Sequence, residues 1–397
     1  MIEYRLSRYI LVTFENLGPA GSSGLSESAV LVLTSILSGQ HLLVSATELE
    51  LLCQISTETW SRLEDLEKLG ISPDQVAAFV KLAILLVNQG EAESQAFLRI
   101  EEGLRRSHWP PCAAMFHLLN HFYESRVAPP GRVTSTLSRE LDSEQRALNF
   151  LAKNGPPPPA FFRRLDALEI EDLPGEILES PLVEVLLRRR TERYFDPGWA
   201  LPVTTLSHLL RVVLGAFGMR TLAREVQLLI KTSPSGGSLH PIEGYPLLMS
   251  VENRRAGFYH YLPERHSLEL LKEMPASKCR ELATYFCQGQ TFVGTCAALV
   301  ILVARFDRNF WKYQDRENSY SVVLQEAGHL SQTFQLVATD LGLGSFYTGA
   351  INSEAIVDLL QIPYPEEAPI GILGVGMSAP GPDLAARIMP FDPIAQR

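Results

Sequence analysis

Asn154-Gly155 followed by the unbroken run Pro156–Pro159 sets the first limit on what this chain can fold into. Each proline ring fixes φ and removes the amide donor, so consecutive prolines continue neither a helix nor an interior strand. They favour an extended spacer, and structure must be organised on either side of it. A softer break, Ala128-Pro129-Pro130-Gly131, lies upstream, and the residues between the two breaks are polar. With 397 residues the chain has length for more than one domain. The expected division is a small α/β unit at 1–105, a helical connector with the proline-rich linker at 106–164, and a larger unit at 165–397.

Charge and cysteines narrow the function classes. The chain carries 35 basic and 45 acidic residues, a net charge of −10. Nucleic-acid binders neutralise phosphates with clustered Lys and Arg, so no nucleic-acid partner is expected. Hydrophobic residues make up 46% and charged residues 20%, a globular rather than a disordered composition. The cysteines Cys53, Cys112, Cys279, Cys287 and Cys296 are odd in number and form no CxxC. That argues against a disulfide scaffold and a structural zinc site. The N-terminus has mixed charges, and its apolar run Tyr9–Phe14 is too short for a signal core. The apolar stretch near Leu82–Val87 is too short to cross a bilayer. A cytoplasmic protein without a membrane partner is the expectation.

In the first unit, Arg8–Phe14 alternates like a strand, while Glu27–Leu37 and Ala46–Ile55 have helical spacing. Leu63, Leu66 and Leu69 predict a further helix ending at Gly70. This order resembles a winged-helix module. Such modules bind DNA or peptides, and the acidic Glu58, Glu64, Asp65 and Glu67 speak against DNA. A peptide-binding or purely structural role is expected. Residues 106–127 read as one amphipathic helix after Pro110-Pro111. His117 and His121 share a face of it. The position after His117 that carries glutamate in zinc hydrolases is Leu118, and no third ligand is evident, so packing is the expected role.

The larger unit alternates helical stretches with strand candidates Tyr245–Val251, Gly257–Tyr261, Ala297–Val303 and Ile370–Val375. An α+β or mixed α/β sheet covered by helices follows. Four motifs there carry chemistry. Arg188-Arg189-Arg190-Thr191-Glu192-Arg193 gathers guanidinium forks and a hydroxyl that suit phosphate oxygens. Ser233-Pro234-Ser235-Gly236-Gly237-Ser238 combines a fixed φ, bare backbone and hydroxyls for close polar contact with a ligand. It lacks the endings of both the Walker loop and the GxGxxG fingerprint. Lys312-Tyr313 offers two proton-transfer side chains. Gln325-Glu326-Ala327-Gly328-His329 opens a long apolar helix that leads to the turn Gly342-Leu343-Gly344.

Together and in this order, the four motifs resemble the nitroreductase-like flavoenzymes, and within them the SagB-type oxidases that mature ribosomal peptides. The resemblance covers roughly 180–380. "RRTERYF" looks like the family's phosphate motif and "SPSGGSLHPIEGY" like the ring-contact loop. "GFYHYLPERHSLELL" is similar to the following hairpin, and "EAGHLSQTFQLVATDLGLGSFYTG" to the central helix and its flavin turn. "HWPPCAAMFH" is similar to a longer subgroup described as peptide-maturation dehydrogenases. The resemblance implies a nitroreductase-like α+β fold, a mixed sheet flanked by helices in an intertwined homodimer with FMN at the subunit interface. Carried over, Arg189, Arg190, Thr191 and Arg193 would hold the FMN phosphate, and Pro234, Ser235, Gly236, Gly237 and Ser238 would line the ring. Gly342, Leu343 and Gly344 would place backbone donors at the flavin edge, and Lys312 and Tyr313 would remove a proton. Arg387 is the one candidate for a C-terminal phosphate contact. The implied activity is oxidation of azolines to azoles in a ribosomal precursor peptide, beside a cyclodehydratase or other maturation enzymes. Two alternatives stay open: reduction of dehydroamino acids with NAD(P)H, and a non-catalytic leader-peptide adaptor.

Overall fold

The computed structural model describes residues 2–16, 29–121, 148–149, 151–156, 160–161, 164, 166, 168–175, 177–222, 226–314 and 316–380. Two small antiparallel sheets build the N-terminal part. In one, β1 (Glu3–Leu6) lies between β5 (Ser61–Arg62) and β6 (Leu85–Val87). The other runs β2 (Ile10–Asn16), β3 (Ala29–Ser35), β4 (His41–Val44). Helix α1 (Ala46–Leu52) starts where Ser45 and Glu48 cap each other reciprocally, and Ser72 with Gln75 does the same for α3 (Pro73–Lys81). Between them lies α2 (Leu63–Lys68), whose Leu66 is buried and which ends before Gly70 at φ +95°.

Sequence periodicity misassigns one element here. The stretch Glu27–Leu37, expected as a helix, contains strand β3. Leu31, Val32 and Leu33 are all buried, so the strand is covered on both faces and loses the alternation that marks a strand. The β-branched residues Val30, Val32 and Thr34 favour the pleated form. The helix expected over 106–127 is also shifted. Helix α4 (Ala92–Arg106) breaks at Ser107-His108-Trp109-Pro110, and α5 (Pro111–His121) starts afresh at its proline. The remainder of that stretch, the Ala128–Gly131 break, Pro157–Pro159 and Arg387 lie outside the described residues, as does the side chain of His121.

The C-terminal part is a six-stranded sheet in the order β11-β10-β9-β12-β14-β13. Its strands are β9 (Ile242–Leu248), β10 (Gly257–Leu262), β11 (Ser267–Glu273), β12 (Ala298–Arg305), β13 (Gly344–Thr348) and β14 (Glu367–Gly376). Each of the four stretches expected as strands overlaps one of them, with β9 ending at Leu248, short of Val251, and β12 starting after Ala297. The ladders are antiparallel; the parallel pairings are the isolated bridges Thr191↔Ser345 and Leu201↔Val251. Successive side chains of a strand point to opposite faces. Thus Val300 and Leu302 of β12 pack with α7 (Val203–Leu214) and α10 (Ser319–Asp340). Leu299, Ile301 and Val303 pack on the other face with α8 (Ala276–Phe286) and α11 (Ser353–Leu360). The remaining elements are α6 (Pro181–Arg188), the hairpin β7 (Gly218–Leu222) and β8 (Val226–Ile230), and the short α9 (Phe306–Phe310). No helix among the described residues is long and apolar enough to cross a membrane.

The core does not stop at the proline run. Tyr9, Leu37, Leu104 and Trp109 belong to the same buried cluster as Leu210, Val300 and Phe334. The Trp109 ring sits 4.6 Å from that of Phe306 and 4.8 Å from that of Phe310. His117 joins this box, with Nδ1 3.2 Å from the Tyr320 hydroxyl. The Glu317 carboxylate accepts the amide hydrogens of Cys112 and Ala113 (3.4 and 3.0 Å) in the first turn of α5, where negative charge is favourable.

A buried ion pair ties the N-terminal part together internally. Arg5 Nη1 lies 3.0 Å from Glu101 Oε1, and the two side chains are 2% and 0% exposed. Ser7 Oγ and the Arg8 amide donate to the other carboxylate oxygen. Burial pushes the Glu101 carboxyl above its usual range, against the pull of Arg5. Replacing Arg5→Met leaves that carboxylate buried without its counter-charge and costs about 3–5 kcal/mol in urea unfolding. A raised carboxyl pKa favours folding at low pH and is a loss as pH rises through it. The deficit of the variant therefore grows with increasing pH. A pH-independent deficit would show that Glu101 is already neutral.

Candidate active site

The arginine motif follows a well-defined helix end. Ser180 Oγ caps α6 by accepting from the Val183 amide, and Pro181 occupies its first turn. Beyond Arg189 the chain runs extended beside β13, where Thr191 bridges Ser345 and the Glu192 amide donates to the Ser345 carbonyl at 2.9 Å. Glu192 is buried (6% exposed) and accepts from the amides of Arg193 and Tyr194 at 3.0 and 3.1 Å. It also pairs with Arg190 Nη2 at 3.3 Å. Gly344 is obligatory beside it, since a Cβ there would lie 2.6 Å from Glu192 Cγ and from Ser378 Oγ. Held from below in this way, Arg190, Thr191 and Arg193 are exposed, and the half-buried Arg189 donates to Gln335 Oε1 at 3.3 Å. Sequence reasoning missed Glu192, though one carboxylate among four arginines is the signal for such an anchor.

The glycine turn departs from the expectation in one respect. Gly342, at φ +72°, donates its amide to the Thr339 carbonyl (3.1 Å), and Leu343 donates to the Ala338 carbonyl (2.8 Å). Both donors close the C-terminus of α10, so they are not free for a flavin edge. Gly344 instead lets β13 approach the arginine segment.

A second set of motifs meets at the Ser-Pro-Ser-Gly-Gly-Ser loop. Gly237 has φ +65°, and Ser238 and His240 are also in the left-handed region (+56° and +46°). Ser235 Oγ accepts from the His240 amide at 2.8 Å and closes the loop. A Cβ on Gly237 would lie 2.6 Å from Lys312 Nζ and 2.8 Å from the Tyr313 hydroxyl. The glycine is thus needed for the approach of the Lys-Tyr pair itself. Lys312 is exposed, Tyr313 is half-buried, and the ammonium lies 5.4 Å from the Tyr313 ring centre. Gly237→Ala would add about 1 kcal/mol or more of backbone strain and displace both side chains. Its expected result is a folded protein with strongly reduced turnover; unchanged turnover would show that the Lys-Tyr position is unimportant.

Helix α10 carries the loop from below. His329 Nδ1 lies 3.3 Å from the Pro234 carbonyl, and Ser233 Oγ lies 2.8 Å from Thr333 Oγ1. His240 and Glu326, both buried, face each other at 3.7 Å. Behind them opens a cavity of about 970 Å³ lined by Lys231, His240, Glu243, His260, Arg308 and Trp311, among others. Burial holds the Lys231 ammonium below its usual range, with Glu243 and Glu326 opposing. His260 lies between Glu243 (3.7 Å) and Glu269 (3.0 Å), and both carboxylates raise its pKa. Lys231, His240 and Glu326 fall within the sequence motifs, but their meeting with Glu243, His260 and Arg308 around one cavity is not visible in any local pattern.

Within one chain the two sets do not share a site. Loop contacts use Val322, His329 and Thr333, whereas Arg189 reaches Gln335. At 3.6 residues per turn, Thr333 and Gln335 point about 200° apart around α10. The arginine segment and the Gly342–Gly344 turn therefore lie on one side of the helix, and the loop with Lys312 and Tyr313 on the other.

Residues 186–377 match the model of the Nitroreductase family. MJ1384 of Methanocaldococcus jannaschii, a protein named for the nitroreductases, is 33% identical over 211 residues, which is 53% of this chain and 97% of MJ1384. The chain belongs to the nitroreductase family, a class of flavin-type oxidoreductases with a mixed α+β fold. It is also similar to two processing proteins. The trifolitoxin-processing protein TfxB of Rhizobium leguminosarum bv. trifolii is 30% identical over 35% of this chain and 37% of TfxB. The microcin B17-processing protein McbC of Escherichia coli is 33% identical over 28% of this chain and 40% of McbC.

Proposed function

We propose that this protein is an FMN-dependent dehydrogenase that oxidises azolines to azoles in a ribosomally made peptide. We further propose that it works as a homodimer. The observation that carries the reading is the close approach of Lys312 Nζ and Tyr313 OH to the bare Gly237 backbone, which gathers two proton-transfer groups at the Ser-Pro-Ser-Gly-Gly-Ser loop. The similarity to TfxB and McbC supports a peptide as substrate.

The residues fit the cofactor in kind. Arg190, Thr191 and Arg193 supply exposed donors for a phosphate, and the half-buried Arg189, which donates to Gln335 Oε1, would join them. Pro234, Ser235, Gly236, Gly237 and Ser238 supply a close, small-residue wall for a planar ring. These halves lie on opposite sides of α10, so a second copy must bring the loop of one chain to the arginines of the other. The exposed apolar side chains Leu182, Leu186 and Leu187 of α6 and Leu222 and Ile230 of the hairpin are a surface for such an exchange.

Bound FMN would accept the two electrons that leave the ring as it becomes aromatic. The chain's own part is to orient and deprotonate. Lys312 as its neutral amine, or Tyr313 as its phenolate, takes the proton from the azoline carbon next to a carbonyl, the acidic C–H of the substrate. The buried Glu192 and Glu326 keep the arginine segment and the loop in place beneath.

The test has two stages. Purified protein, loaded with FMN and desalted, retains the flavin absorption bands in near-stoichiometric amount. It then consumes oxygen with an azoline-bearing peptide, which loses two hydrogens per ring by mass. Bleaching of the flavin by NAD(P)H without peptide oxidation would favour the reductase, and a protein that holds no flavin would overturn the proposal.

A further inference from the structure

The turn that carries Lys312 and Tyr313 hangs from a few fixed points. Both residues follow the short α9, and both their amides donate to the Asn309 carbonyl at 3.2 Å. Asn309 is buried (1% exposed), and its Nδ2 donates at 3.0 Å to the carbonyl of Ser319, where α10 begins. No hydrogen bond or ion pair holds Lys312 Nζ among the described residues, so the backbone of this turn sets where it stands.

Arg308 reaches the other way. Its Nε donates to the Leu239 carbonyl, and its Nη2 donates to the Gln227 carbonyl at 3.3 Å. Leu239 closes the loop that contains Gly237, its amide donating to the Gly236 carbonyl at 3.4 Å, and Gln227 lies on β8. The other end of the loop is held to α10 through Ser233 and Pro234, so Gly237 stands between two attachments. One planar guanidinium spans carbonyls of two separate segments, which the point charge of a lysine does not do. The clearance it maintains is small, since a Cβ on Gly237 would lie 2.6 Å from Lys312 Nζ.

We propose that Arg308 is a positioning residue for the Lys-Tyr pair: its guanidinium clamps the turn of Lys312 and Tyr313 to the Gly237 loop and so fixes the place from which the proton is taken. The proposal rests on the reading of Lys312 and Tyr313 as the proton-transfer groups. Arg308 acts through them and not on the substrate.

The test uses Arg308→Gln, which loses the fork, and Arg308→Lys, which keeps the charge without it, in the full-length, FMN-loaded protein. In both, hydrogen exchange speeds up about tenfold at the Lys312 and Tyr313 amides and in the loop, while the melting temperature and flavin retention stay near wild type. With an azoline-bearing peptide, kcat falls by about 10- to 100-fold and KM stays within about twofold, the signature of a displaced group. In a Lys312→Ala background the further loss from Arg308→Gln is below about twofold, because the group it positions is gone. Where Tyr313→Phe is the inactive variant, it supplies the background. Equal losses with and without Lys312, restoration of turnover by Arg308→Lys, or a fall in melting temperature that accounts for the lost turnover each overturn the proposal. A protein that holds FMN but oxidises no azoline sinks the oxidation reading alone. Exchange then decides: loosening confined to the turn and the loop supports the clamp, and unchanged exchange overturns it.

Discussion

Two inactive variants, mixed and allowed to exchange subunits, regain about a quarter of wild-type turnover. One chain carries Arg189→Ala with Arg190→Ala, and the other carries Lys312→Ala. If each site takes its arginines from one copy and its loop and Lys-Tyr pair from the other, a mixed dimer has one site with both halves intact. Its second site has both halves damaged. About half of a statistical mixture is mixed dimer, and half of the sites in it work, which gives the quarter. If each chain held a whole site, mixing would restore nothing. The experiment thus reads out the opposite placement of Gln335 and Thr333 on α10 as a rate.

The Lys312→Ala chain alone keeps its FMN and loses turnover by about 10²- to 10⁴-fold, the range for removal of a positioned acid or base. Lys312 is exposed and sits at the Gly237 loop, not at the arginines proposed to hold the phosphate, so flavin retention is the internal control. Turnover within a fewfold of wild type would move the proton step to Tyr313, and Tyr313→Phe then becomes the inactive variant.

Much of the C-terminal part was legible in the sequence, because its strands are long, apolar and bounded by turn residues. Strand β12 reads as ALVILVAR and is buried on both faces. The motifs were legible as compositions, and three of their geometric meanings were not. Gly237 reads as a surface for a ligand, yet its missing Cβ makes room for Lys312 and Tyr313, 75 and 76 positions away. Gly342 and Leu343 read as free donors, yet a helix end uses both. The placement of the motifs on two sides of α10 depends on the angle around a helix, which no local pattern states. Strand β3 was hidden because its Ala and Leu residues carry no strand preference of their own and, read on from Glu27, the run also fits helical spacing.

Trp109 makes the two parts of this chain interdependent. MJ1384 is matched along nearly its whole length by about half of this chain. A relative of that size shows that the catalytic fold need not carry so large a companion. Here, however, the indole seals the space under Phe306 and Phe310, next to the turn that presents Lys312, and Glu317 is committed to the first turn of α5. Cutting at the prolines would open a hole beneath Phe306 and Phe310 rather than release a smaller stable unit. An addition of this kind is easy to acquire and hard to shed, and engineering of the protein has to treat the whole length as one part.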